Sequence, residues 1–224
     1  MLAVKDHIEL KEKGFELHPF FARLNAQDDF SEGMAFVPRL MFWVMVFQDI
    51  LNIIPPQVKS AHLRRIATHH KHEDAGHDKW FLEDIAYLEK KHILTIEWLF
   101  SPEHKITRDV AYRIISEAFH GKDHQKIILI LALESTGHIF FRNIAQFVKN
   151  KGHEANLKYL SSYHLDVEMN HAVFEEKLKE DLFSIVLSPE EREEAVAMVD
   201  RIYDAFNTLF DYLLEPSKET NEQQ

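Results

Sequence analysis

The sequence predicts an all-α protein, on three observations. Apolar residues recur at helical spacing along nearly the whole chain. The 6 glycines and 7 prolines are scarce and sit at apparent element boundaries. No internal repeat, linker or low-complexity stretch interrupts the pattern. A length of 224 residues with 46% apolar content suits one domain with a sizeable core, here residues 1–216, with the polar residues 217–224 as a disordered tail.

Taken in order, residues 4–14 read as a short amphipathic helix and His18-Pro-Phe-Phe-Ala-Arg-Leu as a second. Asp28 to Ser31 offer N-caps for a third, running from about Ser31 to Ile54. Pro38 should kink it or end its first segment, and Pro55-Pro56 should stop it. Leu40 to Gln48 carry no charge, so this stretch is expected to be buried on nearly all sides. A long helix follows over about 56–90, with Leu63, Ile66, Phe81, Ile85 and Leu88 as its core stripe, and residues 91–100 connect it onward. Ser101-Pro-Glu places proline at N1 of a helix that lasts to Gly121. Asp123 can cap the next, whose run Ile127 to Leu133 is apolar around the whole circumference and therefore central. Residues 154–183 read as a further helix. Ser188-Pro-Glu-Glu191 is a capping box opening the last, with Val196, Val199, Ile202, Phe206, Leu209 and Leu213 on its face.

Composition narrows the function. A net charge of −11 argues against nucleic acid or an anionic membrane as the main partner. The acidity is uneven: from Asp166 onward there are 16 Asp and Glu against 5 Lys and Arg. No uninterrupted apolar run reaches the roughly 18 residues of a membrane span. The opening MLAVKDHIELKEKG has charges where a signal peptide needs an apolar core. A cytoplasmic location is expected. The lack of cysteine agrees with it and excludes disulfides, zinc ribbons, iron–sulfur clusters and a thiol nucleophile. Of 15 histidines, His62, His69, His70, His72 and His77 crowd into one stretch.

Three stretches carry metal-ligand chemistry. His164, Glu168 and His171 stand at i, i+4 and i+7, on one helix face. Glu73 and His77 stand at i and i+4, with Asp74 at i+1 and His70 one turn earlier. Gly76 costs a helix about 1 kcal/mol relative to alanine, which suggests the close approach of something bulky. Glu134 directly follows the apolar run ILILAL, where a lone ionised carboxylate is untenable unless paired or metal-bound. Arg142 is two turns away and could pair with it; His138 shares its face, more in the manner of a core histidine than of a ligand. Together, Glu73, His77, Glu134, His164, Glu168 and His171 give three carboxylates and three imidazoles. That set suits two iron or manganese ions better than one zinc, which needs only three or four ligands.

With these residues the chain resembles the haem-oxygenase-like di-iron oxidases and oxygenases. The resemblance covers roughly residues 17–175. It rests on Glu73-Asp74-Ala75-Gly76-His77 with Trp80, on the lone Glu134, and on the His-x3-acid-x2-His motif of His164, Glu168 and His171. The early His18-Pro-Phe and the apolar FWVMVFQD segment match the family's N-terminal part. Glu168 replaces the family's usual aspartate. The acid-to-histidine spacing of the first motif varies among members, so Glu73 or Asp74 is open as its ligand, and a longer-spaced member would point to His70.

The resemblance implies a seven-helix bundle that activates O2 at two iron ions, the second weakly held, with manganese as an alternative. The reaction it implies is N-hydroxylation of an amine, or oxidative C–C cleavage of a fatty acid or amino acid. A small molecule and O2 are then the partners, and a homodimer is left open. Two relatives are disfavoured: the thiamin-hydrolysing one needs a cysteine. Haem oxygenase needs an early proximal histidine, for which only His18 is available, and a glycine-rich distal helix. Two other readings remain. A ferritin-like di-iron protein would use Asp49, Asp74, His77, Glu134, Glu168 and His171, leaving His164 surplus. A non-catalytic all-α binding module would use its histidines for structure or pH response. The substrate is not legible, although Trp43, Phe47, Phe140 and Phe141 could line an apolar cavity.

Overall fold

The computed structural model describes residues 1–90, 93–169, 182 and 184–215. Among them every regular element is helical, in agreement with the all-α expectation. The centre is α9 (Asp123–Asn150), whose Ile127, Ile128, Leu129, Ile130, Ala132 and Leu133 are all buried. α1 (Leu2–Glu16), α2 (Pro19–Asn25), α5 (Ala61–Asp74), α8 (Lys105–His120), α10 (Ser162–Met169) and α11 (Pro189–Leu214) all touch it. α4 (Met41–Gln57) packs on α5 and α8. Burial of this apolar surface, at about 25 cal/mol per Å², is the main force holding the bundle.

Local chemistry sets most boundaries. His18 caps α2, its Nδ1 accepting the Phe20 N–H, and Asp29 caps the one-turn α3 (Phe30–Gly33). Ser188 and Glu191 form the capping box of α11. Phe15, Phe20 and Phe21 meet Phe210 at ring separations of 4.9–5.4 Å, which knits α1 and α2 to α11. Arg39 donates to the Tyr212 and Glu215 carbonyls at 2.8 and 2.7 Å, satisfying the C-terminal end of α11.

Several expectations need correction. The helix expected over 31–54 is three pieces: α3, a 3-10 turn at Val37–Leu40 with Pro38 in its first turn, and α4. α4 also outlasts Pro55 and Pro56, which fall in its final turn, and ends at Val58. Its uncharged stretch is not buried all round: Met41 and Val44 are buried, whereas Phe42, Trp43, Met45, Val46, Phe47 and Gln48 are half-buried and Asp49 is exposed. The expected helix over 56–90 breaks at Ala75–Gly76 into α5 and α6 (His77–Tyr87). Gly76 has φ +93°, and a Cβ placed there would meet nothing within 4 Å. The glycine is therefore needed for left-handed backbone and not for a close approach. The Gln48 side chain clamps the break, donating to the Asp74 carbonyl and accepting the Gly76 N–H, both at 3.2 Å.

Further on, α7 (Ile96–Phe100) occupies part of the expected connection, and a 3-10 turn at Pro102–His104 precedes α8. Lys122, not Asp123, occupies the N-cap position of α9, its N–H donating to the Gln125 side chain at 2.7 Å, while the Asp123 carboxylate accepts the Ser60 N–H. The helix expected over 154–183 begins only at Ser162. Asp84 is the physical reason: it takes the N–H groups of Lys158 and Leu160 at 2.8 and 2.9 Å and holds this stretch out of helical form. Residues 170–181, and with them His171, lie outside the described residues, as do 216–224. By length and composition Phe30–Gln57 and Asp123–Asn150 could each cross a membrane, a test that a buried core helix also passes; 72% of the apolar window of the second is buried in the fold.

Candidate metal centre

The buried stripe of α5 is Leu63, Ile66, Ala67, His70 and Asp74. Its last two members face Glu134 on α9. His70 Nε2 lies 2.5 Å from Glu134 Oε1 and 3.1 Å from Asp74 Oδ2, and donor atoms of all three residues lie within 4.8 Å of one another. All three side chains are buried. Burial alone would push the His70 imidazole down, but Asp74 and Glu134 beside it outweigh that and hold its pKa well above the ordinary 6.5. Without an ion the three groups form a carboxylate–imidazolium–carboxylate triad carrying net −1. A divalent ion displacing the imidazolium proton would bring the three ligands and the ion to neutrality. One imidazole and two carboxylates also match the donor preference of iron and manganese, so the residues fit such an ion.

Two more histidines lie beside this cluster. His77 is the first residue of α6 and stacks on Trp80, ring centroids 4.3 Å apart. His164 on α10 has Nδ1 2.9 Å from the Tyr159 carbonyl. A carbonyl only accepts, so Nδ1 carries the proton, and in the neutral ring Nε2 is left as an acceptor. That Nε2 lies 3.0 Å from His77 Nδ1, which must then be the donor. Phe141 and Tyr159 pack on the His164 ring, with centroids at 4.0 and 4.6 Å.

Asp74, Glu134, His77 and His164 all line one cavity, whose free volume is about 80 Å³. Its walls are largely apolar, among them Trp43, Val44, Phe47, Phe140, Phe141 and Phe206. Gln48, Asp78 and His138 add polar groups, and among the described residues no lysine or arginine lines it. Largely apolar walls with a few convergent polar groups are the common lining of a small-molecule site.

The expected ligands fare differently. Glu134, His77 and His164 reach the cavity, as above. Glu73 does not line the cavity: its Oε1 lies 3.9 Å from the exposed His69 and its Oε2 is buried, while among the described residues Asp74 is the α5 carboxylate in the cluster. Glu168 belongs to α10 by its backbone, but its side chain, like all of His171, is outside what is described. Arg142 is no partner of Glu134: it pairs at the surface with Glu16, at 2.5 Å. Asp49, the ligand a ferritin-like site would need, is exposed. Asp78 was not anticipated from the sequence, and nothing in its spacing marks it. Comparison of the sequence with protein-family models and with curated proteins finds no match.

Proposed function

We propose that the protein is a metal-dependent oxidoreductase of the haem-oxygenase-like di-iron type, acting with O2 on a small, largely apolar molecule. The observation that carries this reading is the convergence of His70, Asp74 and Glu134 from two helices at the wall of an apolar cavity. These three would hold one iron or manganese ion. His77 and His164 line the same cavity, and with Glu168 and His171 they would form the second, weaker position. Bound iron supplies what side chains lack, one-electron chemistry with O2. The chain does the rest. Trp43, Phe47, Phe140, Phe141 and Phe206 seat an apolar substrate and keep water from it. The Tyr159 carbonyl fixes the His164 tautomer. Asp78 and His138 are placed to orient a polar substrate group.

The test is anaerobic titration of metal-free protein with ferrous ion, followed by metal analysis and O2 uptake. Up to two irons per chain, with fewer than two retained on isolation, is the expected result. Tight stoichiometric zinc with no response to ferrous ion would refute the reading. The same triad could also be purely structural, closed by the His70 proton alone; full stability and unchanged spectra in chelator, with no iron uptake, would favour that second reading.

A further inference from the structure

The outer face of α5 gathers basic residues with no acidic residue among them in sequence. Residues 50–72 contain Lys59, Arg64, Arg65 and Lys71 and no Asp or Glu, in a chain of net charge −11. Arg64, Arg65, His69 and His72 are exposed, on the side of the helix opposite His70 and Asp74. Elsewhere among the described residues Lys5, Lys11, Lys105, Lys122, Arg142, Lys158 and Arg201 are ion-paired with carboxylates, whereas scattered cations such as Lys13, Arg113 and Lys149 are not. Arg64, Arg65 and Lys71 form no ion pair among the described residues; Arg65 has only the His62 ring near it, at 3.4 Å. Ala61, Arg64, Arg65, Thr68, His69 and His72 line a shallow surface depression.

We infer that this face docks an acidic one-electron carrier protein that reduces the centre on the other side of α5, an inference that rests on the oxidase reading above. The chain has no cysteine for an iron–sulfur cluster and no dinucleotide fingerprint, so electrons for O2 chemistry come from the substrate or from an outside donor, and a docked carrier is the second case. Inserting one oxygen atom into a C–H or N–H bond while the other leaves as water consumes two electrons and two protons. Two reduced carriers, each oxidised by one electron, supply the electrons. The path crosses one helix, about 10 Å thick.

Charge complementarity selects the partner. A positive patch on a molecule of net charge −11 orients an acidic protein toward α5. Transient electron-transfer encounters use small interfaces, below about 1,200 Å², which a patch on one helix can serve. A nucleic acid or an anionic bilayer presents charge far beyond the patch and would meet the surrounding negative field.

The probe is an acidic [2Fe–2S] ferredoxin. Its oxidised form is titrated calorimetrically into metal-free and iron-loaded protein at low and high salt, and reoxidation of its reduced form is followed by absorbance. The double substitution Arg64→Glu/Arg65→Glu is compared with Arg113→Glu/Lys149→Glu, which reverses two exposed charges on α8 and α9. At low salt the α5 variant should bind ferredoxin at least tenfold more weakly and reoxidise it at least tenfold more slowly. Its reduction by dithionite and the behaviour of the α8/α9 variant should match the parent. Binding within twofold of the parent in the α5 variant, or equal weakening in the α8/α9 variant, overturns the inference. So does an RNA oligonucleotide or a phosphatidylserine vesicle that binds through Arg64 and Arg65 where ferredoxin does not. Iron uptake with unaltered ferredoxin binding in the α5 variant sinks the docking surface alone. Failure to take up iron sinks the oxidase reading and the electron-delivery role with it.

Discussion

Glu134→Gln is the most informative single change. It keeps the shape of the side chain on α9 and removes one of the two negative charges beside His70, from which Glu134 lies 2.5 Å. A ligand that binds only the folded chain stabilises it by RT ln(1 + [L]/Kd), about 2.7 kcal/mol at a hundredfold excess over Kd. For a chain of this size that corresponds to a rise in Tm of roughly 5–10 °C. Loss of one of two anionic donors should weaken binding by about 100-fold, so the same iron concentration would yield only about 0.4 kcal/mol, a shift of roughly 1 °C. The assay is anaerobic thermal unfolding with and without ferrous ion, supported by metal analysis after desalting. In the metal-free state the substituted amide can still accept a hydrogen bond from His70, so the variant should fold. The reasoning fails if Glu134→Gln shows the parent's full iron-dependent rise in Tm. Arg142→Ala should leave the rise untouched, since Arg142 engages Glu16 and not Glu134.

Three further outcomes follow from the geometry. His164→Ala should fold, keep about one iron per chain and lose O2-dependent turnover; wild-type iron stoichiometry and affinity would show that His164 is no ligand. Gly76→Ala forces a left-handed backbone on a residue with a Cβ, at a place with no steric neighbour, so it should cost about 1–2 kcal/mol in urea unfolding; an unchanged midpoint would contradict that. Burial outweighs the Lys158 and Leu160 N–H groups and pushes the Asp84 carboxyl from 3.8 to about 6. Its contribution to stability is therefore full below the ordinary value and is lost as pH rises through 6. This makes about 2 kcal/mol that the parent loses between pH 4 and 7 and Asp84→Asn does not. A stability difference between the two that is independent of pH would refute the shift.

Much of the fold could be read directly because its signals are local. The capping box at Ser188, the His18 turn and the apolar run of α9 each depend on a few neighbouring residues. What escaped depended on partners distant in sequence. The late start of α10 is enforced by Asp84 from α6, and the α5–α6 break is clamped by Gln48 from α4. The half-exposed side of α4 has the same origin: the lack of charge in Leu40 to Gln48 says nothing about how many neighbours the fold supplies.

The site shows the same division more sharply, in the choice between Glu73 and Asp74. At 100° per residue, the stripe of Leu63, Ile66, Ala67 and His70 is centred so that Asp74 falls about 30° from it and Glu73 about 70°. Helical phase alone therefore places His70 and Asp74 inward and Glu73 at the edge, in accord with the buried Asp74 and the Glu73–His69 contact. What obscured this was treating residues 56–90 as one helix, which lets the Glu73 and His77 pair stand at i and i+4 on a shared face. The left-handed Gly76 resets the phase at that point. His77 then enters the cavity as the first residue of a new helix, turned toward His164, and leaves Glu134 to His70 and Asp74. A glycine inside an acid–x–x–x–His spacing is thus a reason to phase the two halves separately. In this chain that separation gives two donor groups, His70 with Asp74 and His77 with its α10 partner, and Asp74, His77 and His164 line one cavity.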